Sequence, residues 1–167
     1  MEKQITNGLK KQLINICKAY KASSPCSPVL ILTASSREKT KIFPSPILSI
    51  AASQATGKTV MKGLDELRHK ESDRINAIAN GLEMSGVSIL QKQDQLTVFG
   101  KGNQKIKGGS IINASNDHRI AMSFMCLGQV TQKPIEISES SSVGTSFPGF
   151  VEKFKEIGAN LSIQKNQ

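Results

Sequence analysis

The chain has 167 residues, enough for one domain or a large part of one with a sizeable core. It is 38% hydrophobic and only 4% aromatic, with no Trp, which is a globular composition and not a disordered one. The formal net charge of +9 favours anionic partners, but the Lys and Arg residues are scattered, stacking aromatics are few and no DNA-reading spacing occurs, so nucleic acid is disfavoured against a small phosphorylated molecule.

In chain order, Leu9, Leu13, Ile16, Cys17 and Tyr20 fall near one face of a short amphipathic helix over residues 4–20. Residues 21–46 are rich in Ser, Pro and Lys around the apolar run Val29-Leu30-Ile31-Leu32, which predicts loop, strand, loop. From Pro46 the pattern is cleaner. It predicts a helix over 47–55 ended by Gly57, a strand over 59–61, a helix over 74–84 ended by Gly86, and strands over 87–90 and 95–99. The order then returns with a helix over 119–127 ended by Gly128, a strand over 134–138, a helix over 150–157 ended by Gly158, and a strand over 159–163. The copies lie roughly 70–75 residues apart, in the range of a supersecondary repeat. The alternation implies an α/β (α+β) layered fold, a partial domain with about two repeats over residues 46–167. Residues 1–45 form a separate segment of helix plus loops.

Cys17, Cys26 and Cys126 lack metal-ligand spacing. Their odd number and the lack of a secretory signal imply reduced thiols in a cytoplasmic protein. No apolar stretch is long enough to span a membrane.

Two charged patches carry the chemistry. The first is Leu67-Arg68-His69-Lys70-Glu71-Ser72-Asp73-Arg74, at a helix start. If this stretch is helical, Lys70, Glu71 and Arg74 share a face. Ser72 or Asp73 is then the N-cap, and the helix end adds N–H donors and a positive dipole. Such a site holds a phosphate or carboxylate, and Glu71 within it is kept ionised and able to move a proton. The same spacing also suits an ordinary solvated, salt-bridged helix face, and spacing alone does not choose. The second patch, Asn116-Asp117-His118-Arg119, opens another apolar run. Asp117 can cap it, and a cation such as Arg119 in a first turn calls for an anion beside it. His118 is either a structural side chain or a proton carrier. In Thr145-Ser146-Phe147-Pro148, Pro148 suits a first turn with Thr145 or Ser146 as the cap.

Taken in order, Gly63-Leu64-Asp65-Glu66-Leu67-Arg68-His69-Lys70-Glu71-Ser72-Asp73-Arg74, Ala79-Asn80-Gly81-Leu82, Asp117-His118-Arg119-Ile120-Ala121-Met122-Ser123-Phe124 and Thr145-Ser146-Phe147-Pro148 closely resemble the 3-phosphoshikimate 1-carboxyvinyltransferase (EPSP synthase) family. The resemblance runs from about Pro46 onward and corresponds to the final part of the family's chain. It implies βαβαββ-type units. It also implies transfer of the enolpyruvyl group of phosphoenolpyruvate to the 5-hydroxyl of shikimate 3-phosphate with release of phosphate, in aromatic amino acid (chorismate) biosynthesis, and no metal or organic cofactor. By motif, Arg74 and Arg119 bind phosphoenolpyruvate, Lys70 contacts the substrates near the reacting hydroxyl, Glu71 serves proton transfer, and His118 sits beside the phosphoenolpyruvate site.

The chain also departs from that pattern. Counting back from Pro46, Phe43 stands at the family's catalytic Asp and Pro44 at the following Glu. Thr145 replaces a frequent Lys, and His69 a small apolar residue. The N-terminal domain, with its Lys-Ser motif, has no counterpart, and a separate polypeptide is the expected source of one. Losing members of a constellation that acts as a unit costs orders of magnitude in rate, so the isolated chain is expected to be catalytically incomplete. The alternatives are a degenerate, inactive gene fragment and a basic small-anion-binding module without catalysis.

Overall fold

The structure is a computed structural model that describes residues 29–33 and 46–163. The helix expected over residues 4–20 and the positions of Phe43 and Pro44 lie outside them. The Val-Leu-Ile-Leu run forms β1 (Val29–Thr33), as its β-branched and apolar residues predict. Next come α1 (Pro46–Gln54), with Pro46 at the first helical position where its missing N–H costs nothing, and β2 (Thr56–Lys62). Gly57 does not end α1. It lies inside β2 at φ +95°, because the polar start of that strand is fixed by pairing with β4 (Gln95–Lys101) and not by burial. A 3-10 turn, Asp65–His69, leads to α2 (Arg74–Met84), which is followed by β3 (Ser88–Gln91). One four-stranded sheet results, in the order β1-β2-β4-β3. β1 runs parallel to β2, and β4 runs antiparallel to both β2 and β3.

Two short strands follow, β5 (Ile106–Gly108) and β6 (Ile111–Asn113), then α3 (His118–Gly128), β7 (Thr131–Lys133) and β8 (Glu136–Ser138). β5 pairs with β7 and β6 with β8, both in parallel. Three-residue strands interrupted by Gly108-Gly109 carry too little alternation to be read from sequence. Gly128 is the last residue of α3, and Gln129 caps it in right-handed geometry, so the left-handed stop expected there does not form. Gly86 and Gly158 do follow their helices at φ +91° and +90°.

The remainder is α4 (Ser142–Ser146) and α5 (Phe150–Glu156). Thr145 and Ser146 belong to α4, and the N-cap of α5 is Gly149 at φ +76°, not either hydroxyl. Pro148 keeps Phe147 out of the helical region (φ −140°, ψ 82°) and so separates the two helices. Residues 159–163 are not a strand. Their alternation of Ala159, Leu161 and Ile163 suits one, but no described neighbour pairs with them. Instead the Asn160 N–H donates to Gln129 Oε1 at 2.8 Å.

One core joins the two halves. Ile75, Ile78 and Leu82 of α2 pack with Ile120, Phe124 and Leu127 of α3 and with Met61, Leu96 and Val98 of the sheet. α2 and α3 approach closely at Gly81, where any Cβ would collide with the Phe124 ring. The α2–α3 contact places the N-terminal ends of both helices side by side. Among the described residues no helix is long and apolar enough to cross a membrane.

Candidate functional site

Lys70, Glu71 and Arg74 do not share a helix face. Only Arg74 is helical; Lys70 ends the 3-10 turn in an extended conformation (φ −91°, ψ −158°). Asp73 is the N-cap, its Oδ1 accepting from the Asn76 N–H at 3.0 Å. The turn is braced from outside the motif. Arg68 donates through Nε to Gln93 O (2.7 Å), through Nη2 to Lys92 O (2.9 Å) and through Nη1 to Asp73 (2.9 Å). Sequence reading assigned Arg68 no role, and no local spacing could have shown one, because two of its three acceptors lie 24 and 25 residues away.

The two charged patches meet at Asp117. This residue is fully buried and caps α3, with Oδ1 accepting from the Arg119 N–H at 2.9 Å and the Ile120 N–H at 3.4 Å. Its Oδ2 accepts from Arg74 Nε at 2.7 Å and from the Ser72 hydroxyl at 3.1 Å. Arg74 is itself only 4% exposed and donates through Nη2 to Glu71 at 2.5 Å. Asp117 is thus cap and counter-ion at once, a role beyond the capping that its sequence position suggests. Burial pushes its carboxyl pKa up, but the hydrogen bond and charge of Arg74, the Arg119 N–H and the Ser72 hydroxyl outweigh burial and hold it below the ordinary value.

The exposed members surround this buried pair. Arg74 Nη1 makes no hydrogen bond among the described residues, since Nε and Nη2 serve the two carboxylates. The side chain of Arg119 is exposed and makes no ion pair among the described residues. His118 is half-buried at the first turn of α3. Glu71 is half exposed, and Lys70 pairs with Glu66 at 2.9 Å in a solvent-facing bridge. All five residues expected in the site therefore cluster at the adjoining N-termini of α2 and α3. Thr145 lies exposed on α4 and makes no side-chain hydrogen bond among the described residues.

The body is thus of the mixed α/β class, with cations and a carboxylate gathered at two helix N-termini. The comparisons make that class specific. The family model for EPSP synthase (3-phosphoshikimate 1-carboxyvinyltransferase) matches residues 34–154. The chain is 42% identical over 131 residues to the 3-phosphoshikimate 1-carboxyvinyltransferase of Chelativorans sp. (strain BNC1), covering 78% of this chain and 29% of that protein. The solved EPSP synthase of Acinetobacter baumannii matches with a TM-score of 0.69 and 41% identity, over 72% of this chain and 28% of the other. The enolpyruvyl transferase NikO of Streptomyces tendae, at 20% identity and a TM-score of 0.62, shares the fold.

The chain belongs to the EPSP synthase family. It spans less than a third of the length of the relatives it matches. The family match begins at residue 34, twelve residues before Pro46, where the sequence words alone placed its start.

Proposed function

We propose that this chain carries one part of an enolpyruvyl-transfer site, acting on phosphoenolpyruvate and shikimate 3-phosphate. The observation that carries the reading is the convergence of two family words, 43 positions apart, on one buried carboxylate, with the exposed Arg119 guanidinium in no ion pair among the described residues. In the reaction the substrate hydroxyl oxygen bonds to C2 of phosphoenolpyruvate, its proton passing to a base, while C3 gains a proton. The C2–O bond to phosphate then breaks, phosphate leaves, and C3 gives up a proton to restore the double bond.

The geometry divides the roles unevenly. Arg119 is the principal phosphoenolpyruvate cation, because its guanidinium is uncommitted among the described residues and its backbone is fixed by Asp117. Arg74 contributes through Nη1 only, since most of its fork holds Asp117 and Glu71. Glu71 moves the proton, its carboxyl group held in place by Arg74 Nη2. In this reading Lys70, next to Glu71 in the chain, serves near the reacting hydroxyl of shikimate 3-phosphate, and His118 serves beside the phosphoenolpyruvate site. The reading includes no metal or organic cofactor, a cytoplasmic setting, and an isolated chain short of partners for turnover.

Calorimetric titration with phosphoenolpyruvate tests the division. Binding should weaken about tenfold or more in Arg119→Ala and partly return in Arg119→Lys. Equal binding in wild type and Arg119→Ala would remove the assignment.

A further inference from the structure

The four-stranded sheet of the first half has a second face. Met61, Leu96 and Val98 turn to the core, where the side chains of α1 and α2 pack on them. Residues opposite each other in an antiparallel pair point to the same side, so Val60 with Thr97, Lys58 with Phe99, and Leu90 with Thr97 turn to the other. A sheet face left to water carries polar residues in alternation with the apolar ones of the core side. This face instead carries Val60, Leu90 and Phe99. Leu90 is 49% exposed and Phe99 41%, while Val60 is 8% exposed and its opposite number Thr97 2%. Val60 is also the one buried apolar residue, among those described, that does not belong to the core. The outer face therefore has a shielded centre and two large apolar side chains beside it that still meet water.

The N-terminal part of the chain enters the sheet beside that patch. β1 begins at Val29, which pairs with Lys58, and Lys58 pairs with Phe99. The Phe99 backbone thus lies two strand spacings, about 10 Å, from the point of entry. The link before it, Lys21-Ala22-Ser23-Ser24-Pro25-Cys26-Ser27-Pro28, reaches up to about 26 Å. Before the link stand residues 4–20, whose helical period puts Leu9, Leu13, Ile16, Cys17 and Tyr20 on one side and Lys11 and Lys18 on the opposite one. A helix over that stretch is about 25 Å long, and the seven-residue strands β2 and β4 are about 23 Å long. Such a helix gains most of its stability from an apolar surface to pack on. The family match begins at residue 34, so residues 4–20 lie outside it.

We infer that residues 4–20 fold as a helix lying along this outer face, with Leu9, Leu13, Ile16, Cys17 and Tyr20 against Val60, Leu90 and Phe99, and Lys11 and Lys18 towards solvent. The first half then has three layers: α1 and α2, the sheet, and the added helix. The occupant is the chain's own segment because it is tethered. A link of eight residues holds it beside the face at an effective concentration on the order of millimolar, which a second copy does not match at ordinary dilution. Lys58, Lys62 and Lys101 share the face, and their apolar stems can run along the helix while the ammonium groups stay in water. The inference goes beyond the transfer reaction and does not depend on the assignment of phosphoenolpyruvate contacts.

The three cysteines make the packing measurable. Cys17 is on the apolar side of the helix, Cys26 is in the link, and Cys126 is half-buried in α3. Labelling the full 167-residue chain with iodoacetamide, read by peptide mass spectrometry, should modify Cys17 about tenfold or more slowly than Cys26. Phe99→Lys places a charge in the proposed contact and should raise Cys17 to the rate of Cys26, whereas Phe99→Leu should leave it slow. Leu13→Asp, in the segment itself and clear of the described core, should also release Cys17. Cys126, whose thiol pKa is pushed up by burial, should stay slow throughout and so report an intact core. Should Phe99→Lys speed Cys126 as well, Leu90→Lys takes its place, with the same expectation for Cys17. Three results overturn the inference: equal rates for Cys17 and Cys26 in the wild type, protection of Cys17 that survives the lysine substitution on the outer face, or protection that fades on dilution, which would make a second copy the occupant.

Discussion

The two halves of the molecule use related elements to different effect. In the first, α2 lays Ile75, Ile78, Ala79 and Leu82 onto a four-stranded sheet and ends up with six buried residues. In the second, α5 carries Phe150, Val151 and Phe154 and buries none, because among the described residues the strands there form only two-strand pairs. Amphipathic pattern makes a helix, but a completed sheet is needed to bury it. The buried Arg74–Asp117 ion pair sits at the seam of the first half with α3, where packing is tight enough to hold it.

The largest test of this contrast is at the seam. Asp117→Ala removes the α3 cap and leaves Arg74 buried without its counter-ion, and should cost about 3–5 kcal/mol in urea unfolding. A loss below about 1 kcal/mol would mean that Arg74 is well solvated there. The same pair sets an acid dependence. The folded carboxyl of Asp117 lies below its ordinary value of 3.8, so its stabilisation is complete above that pH and is lost as pH falls below 3.8 through the folded value. Urea midpoints of the wild type should fall in that window, and those of Asp117→Asn should fall less.

Next comes a matched pair, one substitution from each half. Leu82→Ala, at a fully buried site, should cost about 2–5 kcal/mol. Phe154→Ala, on a helix that buries nothing, should cost under about 1 kcal/mol in the isolated chain. Equal losses would show that the second half is packed as well as the first. The smallest effect is expected at the solvent-facing Lys70–Glu66 bridge. Glu66→Gln should change stability by about 0.2–1 kcal/mol, less at high salt. A larger loss would place Lys70 in the buried network of Arg74.

Local chemistry was enough to read much of this chain. The helices expected from residues 47, 74 and 119, each within one residue of its observed start, the cap Asp117, a cap at Ser72 or Asp73, and the stops at Gly86 and Gly158 follow from apolar period, short-range hydrogen bonding and φ preference, all of which act within a few residues. The two charged words were likewise visible as helix starts rich in ionisable groups, but spacing alone left an anion site and an ordinary salt-bridged face both open.

Tertiary structure decided what depended on distant residues. It placed Gly57 inside a strand, because β4 pairs there, and left residues 159–163 without a ladder, because no described strand lies beside them. It also turned Lys70, Glu71 and Arg74 from a supposed helix face into a bend braced by Arg68, and made Asp117 the meeting point of the two patches. Sequence alone determined which short segments could form helices and which residue types could grip an anion. Only the fold determined which guanidinium is occupied by a buried carboxylate and which stays exposed, since that depends on contacts across 43 positions that no local pattern encodes.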